Sequence, residues 1–139
     1  MLDVERFLQA HGNFYETALS EIKNGRKRSH WIWFIFPQLK DLGHSRNAQY
    51  YGIENLDDAK KYLDNEILRN HLLEISQALL ELETNDAVKV MGEIDSKKLL
   101  SCMTLFHLAE PTCETFTKVI EKYFDGNLDI RTVELCKKD

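Results

Sequence analysis

Apolar side chains return every three or four residues along most of this chain, and outside one short block they never alternate one by one. A spacing of three to four puts side chains on one face of an α-helix, whereas a strand with one buried face needs strict alternation. The chain is therefore confined to packing helices against helices, and an all-α fold is expected. Phe7, His11, Phe14, Ala18 and Ile22 trace the first stripe, with Gly25 placed to cap its C-terminus. Leu68, Leu72, Ile75, Leu79 and Leu82 form a second after the capping residue Asn65. Leu99, Cys102, Met103 and Phe106, with Leu105, point inward from a helix that Asp95 is positioned to cap. Phe116, Val119, Ile120 and Tyr123 share the face of another, opened by Thr112 and closed by Gly126.

The two prolines and every glycine but Gly12 fall between these segments, where helices end. Asn55 precedes Asp57 and Asp58, whose charges suit a helix N-terminus, and a short helix is expected from there to about residue 63. Asp86 to Met91 reads as a short helix stopped at Gly92, and Asp129 introduces a last one ending in Lys137 and Lys138. The exception to helical spacing is Trp31 to Phe36, an aromatic run compatible with a strand or a buried helix. A helix is expected there, capped by Ser29, starting at His30 and ended by Pro37. The result is a single compact domain over residues 1–139 with about seven to nine helices, several of them short.

Composition narrows the function classes. Hydrophobic residues at 43% and charged residues at 29% describe a chain that packs a core rather than a disordered or fibrous one. The run Trp31 to Phe36 is far shorter than the ~20 apolar residues of a membrane span, so no membrane partner is expected. Asp3, Glu5 and Arg6 stand where a secretion signal would be apolar, which predicts a cytoplasmic protein. Cys102, Cys113 and Cys136 are odd in number and widely spaced, as free thiols are. A net charge of −5 argues against nucleic acid as a partner of the whole domain.

One stretch stands out chemically. Residues 25–39 read GRKRSHWIWFIFPQL, a basic segment running directly into four aromatics. Arg26, Lys27 and Arg28 can pair with phosphate or carboxylate, and Trp31, Trp33, Phe34 and Phe36 offer faces for stacking. Then comes KDLGHSRNAQYYGI, where Gly43 permits a turn, Ser45 can cap a brief helix and Gly52 can end it. His30 and His44 titrate near neutral pH, and Gln38, Arg46, Tyr50 and Tyr51 can bind polar groups. A pocket for a small anionic or nucleotide-like ligand is expected from Arg26, Lys27, Arg28, His30, Trp33, Gln38, His44, Ser45 and Tyr51. The opposing reading makes the aromatics core and the basic triplet a solvated turn. No cofactor or metal is expected: His11 and His71 lie inside helices without the H-x3-H spacing of a metal site, and no glycine-rich phosphate loop or paired C-x-x-C is present.

These blocks carry a resemblance. GRKRSHWIWFIFPQL at 25–39, LGHS at 42–45, YGI at 51–53, DDAKKYL at 57–63 and SCMTLF at 101–106 resemble, in order, the bacterial and fungal domain of unknown function numbered 1810. The resemblance spans nearly the whole chain and implies a compact multihelical domain, with no catalytic residue to carry over. In the order of its segments the chain is also similar to helical N-glycosidase domains acting on ADP-ribose or riboflavin-pathway intermediates. That similarity implies a hydrolase of ADP-ribosyl or phosphorylated riboside bonds using the same pocket. A third reading is a structural or interaction domain, monomeric or homodimeric, with no ligand pocket.

Overall fold

The computed structural model describes residues 1–137. Among them are nine α-helices and one turn of 3-10 helix, with no strand beyond an isolated parallel bridge between Leu39 and Ile53. The helices are α1 (Val4–Lys23), α2 (Ile32–Ile35), α3 (Arg46–Tyr51), α4 (Leu56–Asp64), α5 (Glu66–Leu80), α6 (Ala87–Met91), α7 (Glu93–Ala109), α8 (Glu114–Phe124) and α9 (Ile130–Lys137); the 3-10 turn is Lys40–Leu42. Lys138, expected in the last helix, lies outside the described residues.

Helix α7 is the centre. It packs against α4, α6, α8 and α9, and Ser101 to Phe106 are all buried. A helix covered on every side loses the stripe that marks a surface helix, which is why residues 101–106 read as a nearly unbroken apolar run. Helices α1 and α5 pack side by side, and α5 also meets α4 and α8. The fully buried Trp31, Tyr62, Phe106 and Phe116 sit in the same core cluster as the leucines of α5 and α7.

Local capping chemistry sets most boundaries. Ser45, Asn55, Asn65 and Asp86 each accept a hydrogen bond from a backbone N–H in the first turn of the helix they open. At the end of α1, Gly25 takes φ 81°; its N–H bonds Ile22 O at 2.8 Å and that of Arg26 bonds Glu21 O at 3.1 Å. This double closure needs a left-handed residue, which glycine supplies without strain. Asp129 anchors α9 to α7: its carboxylate accepts from Ser101 Oγ at 3.1 Å, and its N–H donates to Thr104 Oγ1 at 3.0 Å. Lys122 donates to the carbonyls of Leu79, Leu80 and Leu82, closing the C-terminal end of α5.

Several expected boundaries move. Helix α7 starts at Glu93 with Gly92 as its cap residue, so Asp95 lies inside the first turn and its carboxylate is turned to Lys27 instead. Helix α8 is preceded by Cys113 rather than Thr112. Phe14 is 43% exposed and rests on Phe34, with ring centroids 5.4 Å apart. The aromatic block makes only the single turn α2, preceded by Trp31; Ser29 does not cap it, because its hydroxyl donates to Glu21 at 2.5 Å.

After α2 the chain runs as a strap against the segment following α3. Lys40 N–H bonds Ile53 O at 2.8 Å and Ile53 N–H bonds Gln38 O at 3.0 Å. The approach is so close that a Cβ on Gly52 would lie 2.5 Å from the Lys40 Cα. Gly12, inside α1, would meet nothing within 4 Å. The two glycines should respond oppositely: Gly52→Ala is expected to lower the unfolding free energy by about 2 kcal/mol through backbone overlap, and Gly12→Ala to raise it by about 1 kcal/mol through helix propensity. Urea denaturation of both variants checks this.

Candidate functional site

The basic segment is organised from below by a carboxylate. Glu21, in the last turn of α1, accepts from Arg28 N at 2.7 Å, Ser29 N at 2.9 Å, Ser29 Oγ at 2.5 Å and Trp31 Nε1 at 2.9 Å. Burial pushes its carboxyl pKa up, but these donors outweigh burial and hold it down to about 2. Lys27 turns inward with its side chain 7% exposed, donates to Ser29 O at 2.5 Å, pairs with Asp95 at 2.9 Å and lies 4.8 Å from the Trp31 ring centroid. Arg26 and Arg28 stay exposed along a groove that 24–28 forms with Val88–Gly92.

Other expected site residues have separate places. Trp33 and Gln38 meet in one hollow, with Ile32, Phe36, Ala48 and Gly52 and with Lys98 reaching in from α7. Lys98 Nζ lies 5.7 Å from the Trp33 ring centroid and 4.0 Å from Asp95 Oδ1. The Trp33 Nε1 is buried without a hydrogen-bond partner among the described residues. The hollow measures about 10 Å³, space for one water-sized group. His30 and His44 are exposed, and Ser45 Oγ is engaged by Ala48 N at 3.1 Å. Tyr51 belongs to an aromatic cluster, its ring centroid 5.0 Å from Phe34, 5.7 Å from Phe7 and 4.8 Å from Tyr50. Of the nine residues, then, Trp33 and Gln38 share one hollow and Arg26, Lys27 and Arg28 share another, while His30, His44, Ser45 and Tyr51 line neither.

Sequence reasoning passed over two features. Lys98 carried no local signal, because what joins it to Trp33 is the packing of α7 against the aromatic block. The second is a histidine pair between α1 and α5. His11 Nδ1 lies 2.8 Å from His71 Nδ1, and His11 Nε2 lies 2.8 Å from the Phe34 carbonyl. The Tyr15 ring stacks on His71 with centroids 3.6 Å apart, and its hydroxyl donates to Glu74 at 2.5 Å. Burial dominates here, holding the His11 pKa down to about 4 and lowering that of His71 against the opposing pull of Glu74 and Glu16. The available signal was a histidine on the buried stripe of α1, a polar group that needs a partner when buried.

Two measurements follow. Lys27→Ala strips Asp95 of its close cation and is expected to cost about 3 kcal/mol, whereas Arg28→Ala stays within about 0.5 kcal/mol; chemical denaturation separates them. His11 protonates near 6.5 when unfolded but only near 4 when folded, so the unfolded chain binds more protons between these values. Its contribution is complete above pH 6.5 and is lost as pH falls from there towards 4. Between pH 7 and 5 stability should drop by about 2 kcal/mol from this residue, and His11→Phe should flatten that part of the profile.

Among the described residues no three His, Cys, Asp or Glu side chains are grouped to hold a metal ion, and no helix is long and apolar enough to cross a membrane. A search of curated proteins finds no match. The fold is similar to the crystal structure of the conserved hypothetical protein Rv1873 from Mycobacterium tuberculosis, with a TM-score of 0.95, 38% sequence identity and coverage of 97% of this chain and 96% of that one. A family model described as "Protein of unknown function (DUF1810)" matches residues 1–136, and the chain belongs to that family.

Proposed function

We propose that this protein binds a small anion, or the anionic end of a nucleotide-like molecule, in the hollow formed by Trp33, Gln38 and Lys98. One observation carries the reading: the Trp33 Nε1 is buried beside a lysine and has no acceptor among the described residues. An indole N–H can only donate, and leaving such a donor unpaired in the interior costs about 1–3 kcal/mol. An incoming oxygen recovers that cost and gains the charge of Lys98. The Gln38 carboxamide can donate or accept at the same place, and Ile32 and Phe36 give the hollow an apolar floor. Because the space is water-sized, it takes a single ligand oxygen, and the rest of the ligand lies outside it.

The reading keeps two residues of the 26–52 stretch and adds one from α7. It favours binding over glycoside hydrolysis for a specific reason. A general base needs a lone pair within reach of the bond, and among the described residues no Asp, Glu or His lines the hollow.

Thermal-shift measurements with phosphate, AMP, ADP-ribose and NAD test it. A ligand at ~100 times its dissociation constant raises the unfolding free energy by roughly 2.7 kcal/mol. The shift should vanish in Lys98→Ala and Gln38→Ala, and Trp33→Phe, which keeps a ring but removes the N–H, should weaken binding about tenfold. Silence across the panel, or a shift that survives Lys98→Ala, refutes the reading.

A further inference from the structure

The groove between α1 and α5 has the opposite chemistry. It measures about 370 Å³, with Leu8, Gly12 and Ile67 as its apolar part and His71 and Glu16 as its polar part. Ile67 is 53% exposed there, and Gly12 leaves the surface of α1 open. Glu74, one turn after His71 on α5, lies behind this lining and accepts the Tyr15 hydroxyl. Among the described residues no lysine or arginine lines the groove.

The hydrogen bonds fix where the protons are. A carbonyl oxygen only accepts, so His11 Nε2, 2.8 Å from Phe34 O, carries a proton. His11 is 3% exposed and neutral at physiological pH, so its Nδ1 holds a lone pair. The 2.8 Å contact between the two Nδ1 atoms must then be bridged by a proton on His71. A neutral His71 with Nδ1 protonated has one nitrogen left, Nε2, and it can only accept. The polar groups offered by the groove are therefore an imidazole acceptor and the Glu16 carboxylate, both asking for donors, with the charge of Glu74 beside them.

We propose that this groove binds a protonated primary amine with an apolar body, its ammonium donating to His71 Nε2 and to the carboxylate of Glu16, with Glu74 adding negative charge beside them. An ammonium has three donors and no acceptor, which matches this set. The body of the ligand covers Leu8 and Ile67 along the open surface at Gly12. An anion of the same shape meets the Glu16 carboxylate and the charge of Glu74, and no cation. The site is independent of the Trp33 hollow, since the groups that recognise the ligand come from α1 and α5 rather than from α2 and α7.

Histidine-detected NMR with phenethylamine as probe, and 3-phenylpropanoate as its anionic counterpart, tests the proposal. The amine should saturate with displacement of the His71 Nε2 resonance, and the carboxylate should bind at least about tenfold more weakly. Gly12→Leu fills the groove while favouring helix, and Glu16→Gln removes one charge at an exposed position; each should weaken the amine about tenfold, with an unchanged circular dichroism spectrum. Lys98→Ala should leave amine binding intact. Absence of saturable shifts at about 10 mM amine, equal binding of the two probes, or full affinity in Gly12→Leu would overturn it.

Discussion

The arrangement rests on one carboxylate. Glu21 gathers two backbone N–H groups, a hydroxyl and an indole N–H within 2.5 to 2.9 Å, and by doing so turns the chain from the end of α1 into the aromatic block. Hydrogen bonds to an ionised acceptor are about twice as strong as neutral ones. Trp31 is thereby held at 0% exposure with its polar edge satisfied, and Trp33 and Phe36 follow it into position through the single turn of α2. Lys27 extends the same knot to the start of α7 through Asp95.

This explains why the basic segment and the aromatic block do not share one hollow. Of three consecutive cations, the middle one is paired with an internal carboxylate, and its neighbours stay exposed along the groove with Val88–Gly92. The cation that does meet the aromatic block is Lys98, delivered from a helix more than sixty residues further along the chain. Helix α2 also touches both hollows: the Trp33 side chain lines the donor-rich one, and the carbonyl of Phe34 sets the tautomer of His11 beneath the acceptor-rich one. Four residues of backbone thus touch two hollows of different polarity.

What could be read in advance was whatever is decided within a turn or two. Asn55, Asn65 and Ser45 are caps because a short side-chain oxygen reaches the amide three residues on, wherever the helix later packs. Ser29 and Asp95 have the same side-chain chemistry and do not cap their helices. Each found a stronger partner from another element, Ser29 in Glu21 and Asp95 in Lys27, and a charged or multiply bonded contact outweighs a cap. His11 was legible as an anomaly on an apolar stripe, but its partner lies sixty residues away on α5.

The sequence by itself determined an all-helical chain, its principal helices and most of their inward faces, because periodicity and capping are local consequences of backbone geometry. Only the tertiary structure decided which polar groups meet. Trp33 with Lys98, His11 with His71 and Glu21 with Trp31 are products of how helices lie across one another, and that depends on the shape of the whole core.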